Sequence, residues 1–568
     1  MSRVVNARGT RARVGRPFSA LVFALTSALA LAACGGLPTS GGVVAGSHIN
    51  DEVELDIGFA PQGPVPGSAP VDIMQDFILA ATNPQNDFAI ARQFLASSFV
   101  SDWNPDEVVL IRTGSPSTTF VSETAIDYSF PTTASVGPDG RYLEVAEAET
   151  ARRSFTFVQE AGEWRIDSAP PGIVLSADSF DRVFTQRALY FFDPSYQFLV
   201  PDIRWFPNRP GVNVRVAALL LQGPASWLSQ GVLISEFPEG TTLGDDLVSI
   251  DSGIAAVDLS EQARETSAEQ RDRMRQQLSA SLGNVASVVL SINGAPLAVP
   301  DTSAGAAVVN PTVEPLLLVG SDNQFGFVSN NEIAPVTGVS SLVIDADARA
   351  VTLARGKSAA AVLGAGGVFV ARSGANQPLL VDRRAGLVVP SIDASGFVWS
   401  APESRASEVV AFDLDGGVHP VSTGLPADAR LVSLDVSRDG TRVIMYLSTP
   451  SGPQLVVAGV VRQDLIPMAL GELVFLPIGQ GTPVDAAWVD DHTIVTLSVI
   501  DDLTSVTAYG LGGPHSDLGS LEGGRSITGG NGGLDGVRVL ATDGDVFRSR
   551  GSGWQETGIS AEFIGTQQ

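Results

Sequence analysis

Leu434-Asp435-Val436-Ser437-Arg438-Asp439-Gly440-Thr441-Arg442 reads as a strand, an acidic turn carrying a glycine, and the start of a second strand. Segments of the same kind lie on both sides of it. Leu342-Val343-Ile344-Asp345, Pro390-Ser391-Ile392-Asp393, Ala486-Ala487-Trp488-Val489-Asp490 and Gly529 to Val537 recur at intervals of about 45 to 50 residues, and helical periodicity is absent after Pro300. Each interval has room for four short strands. Repetition at this period with Gly-rich turns predicts an all-β propeller of five or six blades over residues 301–568. A pair of β-sandwiches is the competing all-β reading.

Upstream, over 190–300, helices and strands alternate. Val214 to Leu221 is a nearly continuous apolar run ending in Gln222-Gly223-Pro224, and is expected to be a strand. Ala255 to Ser260 and Val285 to Ile292 are further strands, the second entering the turn pair Asn293-Gly294. Between them, Ser267 with Gln270 three residues on suggests a capping box for a helix whose Met274, Leu278 and Leu282 share one face, with Gly283 as its C-terminal cap.

The region 71–189 starts with Val71, Met74, Ile78 and Ala81 at helical spacing, stopped by Asn83-Pro84, and a second helix is expected from Asn86 to Leu95. Strands follow at Thr118 to Phe130, Arg141 to Ala148 and Ser154 to Ile166. Two helices on a curved antiparallel sheet make an α+β domain similar to the NTF2-like fold.

The N-terminus has a separate logic. Five arginines (Arg3, Arg8, Arg11, Arg13 and Arg16) precede an apolar run from Phe18 to Ala33 that is too short to remain as a membrane span. Leu31-Ala32-Ala33-Cys34 closes that run with the only cysteine of the chain. Residues 1–33 therefore read as a lipoprotein signal peptide with its lipobox, and Cys34 as the lipidated residue. The competing reading is a plain secretory signal followed by an incidental cysteine. Residues 34–70, rich in Gly, Pro and Ser, form a tether whose reach as a flexible coil is about 30 to 35 Å. Ile49, Val53 and Leu55 are compatible with a short strand inside it.

Thirty-five basic residues stand against 62 acidic ones, a formal charge of −27, and removal of residues 1–33 takes it to −32. Such a charge excludes the cationic footprint that nucleic acids and anionic lipid headgroups require. Membrane contact then rests on the lipid alone, each buried methylene contributing about 0.8 kcal/mol.

Catalytic and metal patterns fail one by one. Gly356-Lys357-Ser358 lacks the leading glycine of a phosphate loop, since Val351 stands five residues earlier. His48, His419, His492 and His515 never pair at metal-ligand spacing. Asp413-Leu414-Asp415-Gly416 and Asp543-Gly544-Asp545 do not continue to the glutamate of a calcium loop. Asp490, Asp491 and His492, read as successive strand residues, are expected to face opposite sides and not to converge. No catalytic, metal or cofactor-binding residue is assigned, and the chain is read as a binding protein and not an enzyme.

Taken in order behind the lipobox, Trp164-Arg165-Ile166, Tyr190-Phe191-Phe192, Leu199-Val200-Pro201-Asp202 and Leu220-Leu221-Gln222-Gly223-Pro224 resemble the actinobacterial LpqB lipoprotein family over nearly the entire mature chain. Gly223-Pro224, Pro238-Glu239-Gly240-Thr241, Val257-Asp258-Leu259-Ser260 and Ile292-Asn293-Gly294 resemble the landmarks of a GerMN domain, and Ser437 to Arg442 resembles the family's blade motif. The resemblance implies a membrane-anchored accessory protein on the extracytoplasmic face. Its implied partner is the extracytoplasmic part of an MtrB-like sensor histidine kinase in an MtrAB-type two-component system, with a role in envelope homeostasis and division. The alternative class is a cell-wall-acting envelope enzyme or a wall-polymer binding protein.

Cys34→Ala is expected to abolish incorporation of a labelled acyl precursor while the melting of the folded domains stays unchanged, because Cys34 lies outside every proposed core. Continued labelling of the variant would remove the lipoprotein assignment.

Overall fold

The computed structural model describes residues 61–568 apart from 284, 300–304, 331, 531 and 552. The signal, Cys34, His48 and the short strand expected around Val53 lie outside the described residues.

Pro70 occupies the first turn of the helix Pro70–Ala80, where its missing N–H costs nothing, and Asp72 accepts from Ala69 N at 3.3 Å. The helix turns Ile73, Met74 and Phe77 onto a six-stranded sheet. That sheet runs in the order Glu163–Ser168, Tyr142–Glu160, Ala125–Val136, Val109–Arg112, Ile173–Ser176, with Ser117–Ser122 also paired to Ala125–Val136. The second helix, Gln85–Arg92, differs from the regular one expected. Asn86, Asp87 and Phe88 have φ of 49°, 55° and 57°, a left-handed turn. Asn and Asp tolerate that region better than other residues. Arg92 holds the turn by donating to Asp87 O at 2.9 Å and Asp87 Oδ2 at 2.7 Å, while Phe88 is buried beneath Arg209.

The second unit begins with a hairpin of Phe184–Phe192 and Phe198–Pro207. Residues 214–221, expected to be a strand, are instead part of the helix Val212–Gln222. A nearly continuous apolar run, interrupted only by Arg215, carries no alternation by which to tell the two apart. Its buried residues, Val216, Ala217, Leu219 and Leu220, fall at helical spacing, and Gly211 and Gly223, with φ of 83° and 93°, bound it. Ile254–Leu259 and Ser287–Ile292 are parallel neighbours joined by the helix Ala268–Leu282. Ser267 Oγ caps that helix by accepting from Gln270 N at 3.1 Å, but the Gln270 side chain donates to Glu236 O instead of closing the box. Asn293 and Gly294, with φ of 49° and 76°, form the hairpin turn into Ala295–Pro296. Val308–Val309 then pairs back in parallel with Phe198 and Leu199.

Among the described residues, the remaining strands form six four-stranded blades, the first two joined edge to edge in one eight-stranded sheet. Five are sequential: Ala348 to Asp382, Ser391 to Pro420, Arg430 to Leu476, Thr482 to Leu521 and Gly524 to Ser560. The other, which we count as the first, consists of Leu318–Ser321, Gln324–Ser329 and Glu332–Pro335, completed on its inner side by the last strand of the chain, Phe563–Gln567. Leu342 to Asp345, one of the repeat landmarks, lies in a short helix, Ser340–Asp345, between the first and second blades. Its Leu342 and Val343 fill the same core as the strands around them.

The acidic turns of the repeat are acceptors for their own backbone. Asp439 takes Ser437 Oγ at 2.8 Å and Thr441 N at 2.9 Å, and pairs with the fully buried Arg442. Asp393, one blade earlier, accepts from Ser395 N, Phe397 N and Trp399 Nε1, each at 2.9 Å, and from Arg462 of the next blade at 2.6 Å. Asp435 sits among the innermost strands. It accepts from Ser391 Oγ at 3.0 Å, Trp488 N at 3.2 Å and the side chain of the terminal Gln568, so that one carboxyl joins three blades and the chain end. Burial pushes Asp435 up to about 7 against the pull of Trp488 N–H and Ser391, with Asp485 adding to the rise.

A carboxyl whose folded pKa exceeds its unfolded one binds extra protons when folded, so its stabilising contribution is full below pH 4 and is lost as the pH rises to about 7. Asp435→Asn removes that titration. The stability of the variant relative to the native chain is expected to rise between pH 4 and 8 by on the order of 4 kcal/mol at most, read from melting curves. Parallel pH profiles would show that Asp435 does not titrate in this range.

Candidate interaction surface

The propeller is gripped by both preceding domains at its fourth and fifth blades. The short helical turn Ser226–Leu228 packs on the fourth blade, where a Cβ at Gly459 would lie 2.6 Å from Val232 Cγ2 and 2.9 Å from Trp227 O. Only a glycine admits this approach. Gly512 of the fifth blade repeats the device: its φ is 73°, a Cβ there would lie 3.0 Å from Ile203 O, and its carbonyl accepts from Trp205 Nε1 at 2.7 Å. His515 on the same blade meets Glu144 of the first domain, Nδ1 to Oε1 at 2.9 Å. Arg204, buried with Asp202 at 2.7 Å, donates to Asp139 O at 2.9 Å and so ties the first two domains together.

Where the three domains meet, a cleft of about 320 Å³ remains. Tyr142, Leu143 and Glu144 come from the first domain, Ile203 and Trp227 from the second, and Phe475, Leu476 and Tyr509 from the propeller. Phe475 and Leu143 are 53 % and 58 % exposed, an unusual state for large apolar side chains beside a concavity. Burial pushes the Tyr509 hydroxyl up to about 12, with Tyr446 adding to the rise, so it stays a neutral hydrogen-bonding group. Clefts of this size at domain junctions, apolar with a few polar groups, are the common form of a binding site.

The residues weighed for chemistry occupy other places. Lys357 lies in a blade turn, paired with Glu314 at 2.5 Å and set over the Phe327 ring. Asp413 accepts from Asp415 N at 3.0 Å and Gly417 N at 2.8 Å, and His419 lies 3.5 Å from it. Asp543 accepts from Asp545 N at 3.1 Å. These acids hold turns.

Asp490, Asp491 and His492 do converge, contrary to the expectation from strand alternation. The segment is a turn between two strands, so period-2 geometry does not apply. His492 Nδ1 lies 2.6 Å from Asp491 Oδ1 and 3.4 Å from Asp490 Oδ1. Burial opposes charging of His492, but the Asp491 hydrogen bond and the charge of Asp490 outweigh it and raise its pKa. This is the one trio among the described residues whose ligand atoms are close enough to share a cation. Asp490 Oδ1 is already engaged by His492 N at 3.0 Å and Thr493 N at 2.7 Å, and the positive field of Arg438 reaches both carboxylates. The arrangement pins a turn and balances its charge.

No single segment of the sequence marked the cleft, because Leu143, Trp227, Phe475 and Tyr509 come from separate parts of the chain and are ordinary in their local context.

Comparisons with known proteins follow this three-part division. Residues 63–181 match the family described as the N-terminal domain of lipoprotein LpqB, 188–298 the family described as sporulation and spore germination, and 323–561 the family described as the lipoprotein LpqB beta-propeller domain. Lipoprotein LpqB of Streptomyces coelicolor is 26 % identical over 534 residues, covering 85 % of this chain and 86 % of the relative. That of Thermobifida fusca is 29 % identical over 252 residues, a match spanning 41 % of this chain and only 40 % of the relative. Among solved structures, TolB from Acinetobacter baumannii aligns with a TM-score of 0.33 at 12 % identity, covering 44 % of this chain and 66 % of that one. The tandem GerMN domains of GerM from Bacillus subtilis align with a TM-score of 0.17 at 19 % identity, covering 26 % and 62 %. Among the described residues no helix is long and apolar enough to cross a membrane. With its first domain and its propeller each matching an LpqB domain, and a germination-type domain between them, the chain belongs to the LpqB lipoprotein family.

Proposed function

We propose that this chain is a lipid-anchored protein of the extracytoplasmic face that binds the extracytoplasmic part of a sensor histidine kinase of the MtrAB type and modulates its signalling in envelope homeostasis and division. The observation that carries this reading is the cleft. Three domains, tied to one another by buried and charge-assisted contacts, leave exposed aromatic and aliphatic side chains where they meet. Aromatic anchors in a preformed concavity are what protein recognition uses. Among the described residues of the cleft wall, no hydroxyl is hydrogen-bonded to a carboxylate base as an acyl- or glycosyl-transferring enzyme needs.

Anchoring supports the same reading. A protein confined to the membrane surface meets a membrane-embedded sensor at an effective concentration far above its average one, so a weak contact suffices. The acidic surface keeps the folded domains off anionic headgroups and leaves them free to meet the sensor.

A soluble form beginning after Cys34, exported to equal abundance, is expected to leave phosphorylation of the cognate response regulator several-fold away from normal. A foreign lipoprotein anchor joined at Gly35 is expected to restore it. Full signalling by the soluble form would reject the role of anchoring, and turnover of a wall polymer by the purified protein would favour the enzyme.

A further inference from the structure

The walls of the three-domain cleft are built in an unusual way. Arg141 to Glu144 line one side and Glu472 to Pro477 the other, each as an unbroken run. Side chains of a strand alternate between faces, so a wall made of consecutive residues is a strand edge and not a sheet face. Leu473 to Leu476 pair inward with Ala458 to Leu455 in the outermost strand of the fourth blade. The one bridge on its outer side joins Ser422 to Ala469, with Leu470 N donating to Ser422 O at 2.7 Å, and it ends before Glu472. Across the cleft, Tyr142 to Glu144 pair with Val136 to Ala134, while the neighbouring strand Glu163–Ser168 covers only Thr156 to Glu160 of the same long strand. Among the described residues, both edges are open.

Open edges attract further strands, and proteins ordinarily blunt or cover them. Here two edges are turned into one cleft, flanked by Phe475 and Leu143, which are exposed, and by Trp227 and Tyr509. The charge left unpaired is acidic, since Arg141 in the same wall is paired with Asp139 and Glu144 with His515. Glu472 stands in the wall, Glu147 and Glu149 continue along the first-domain edge, and none of the three has a cationic partner among the described residues.

We propose that the cleft is a strand-acceptor site. An extended polypeptide segment of a partner protein, alternating apolar with cationic side chains, adds to the edge at Glu472–Leu476. Main-chain hydrogen bonds supply the affinity, and the pockets beside Phe475 and Trp227 choose the apolar side chains, the mode known as β-augmentation. The proposal stands whether or not the partner is a sensor kinase.

Selection of randomised displayed decapeptides on the full mature chain tests it. Enriched peptides should read with a two-residue apolar period and carry Lys or Arg. Their binding, followed by fluorescence anisotropy, should fall at least tenfold for Phe475→Asp or Leu143→Asp, and as much when alternate peptide nitrogens are methylated. Amide exchange at residues 473–476 should slow on binding in the unaltered chain, a readout that needs no variant. Both side chains are more than half exposed, so the variants should keep the native melting temperature. The proposal falls if no peptide is enriched, if binders ignore the substitutions and the N-methylation, or if protection appears away from this edge. It falls equally if wall oligosaccharides displace the peptides by occupying the cleft.

Discussion

Closure of the propeller ring is the constraint on which the rest of the molecule depends. The strand Phe563–Gln567 has to travel back to residues separated from it by more than 200 positions, where it pairs with Leu318 to Gly320 on one side and touches Thr352 and Leu353 on the other. Until it does so, the first blade lacks its inner strand and its neighbours lack one packing face. Blade repeats bury apolar surface chiefly against adjacent blades, so an open ring loses stabilisation on both sides of the gap. Gln568 then donates to Asp435 on the opposite part of the inner ring.

The inner ring joins blades with polar contacts, whereas the space between blades is apolar. Ser391, Asp435 and Trp488 N link the third, fourth and fifth blades, and Asp485 accepts from Ile527 N at 2.9 Å and Ser526 Oγ at 3.1 Å in the sixth. Apolar contacts tolerate sliding; directional hydrogen bonds to one carboxyl do not. The carboxyls are held at a cost, since burial raises the pKa of both Asp435 and Asp485, and the donors around them are what keep the cost tolerable. A polar axis of this kind sets the register of the blades while the cores between them provide most of the stability.

The docking of the second domain on the propeller uses a different principle, that of close approach at glycine, while the first domain meets it through Glu144 and His515. Gly459 and Gly512 let Trp227 O and Ile203 O come within reach of blade backbone, and any larger residue would push the domains apart. The three-domain cleft is what this packing leaves open. Its wall draws residues from all three domains, and Phe475 and Leu143 stay exposed beside it.

The sequence by itself determined the periodicities. The spacing of the turns placed the third to sixth blades, while Leu342 to Asp345 fell in a helix; the face of Met274, Leu278 and Leu282 placed the helix Ala268–Leu282, and Asn293-Gly294 placed its hairpin, because each of these depends on residues close in the chain. Membership of the LpqB family was legible for the same reason, as a series of local landmarks in a fixed order. Tertiary structure decided what no local pattern encodes. A nearly continuous apolar run such as Val214 to Leu221 is a helix that buries one face, Val216 with Leu219 and Leu220. Asp490, Asp491 and His492 came together because the chain turns there, which alternation alone does not reveal. The count of six blades required the C-terminal strand to return to the first, and the cleft required three domains to meet. Both are long-range contacts, fixed by packing between residues that the chain separates by hundreds of positions.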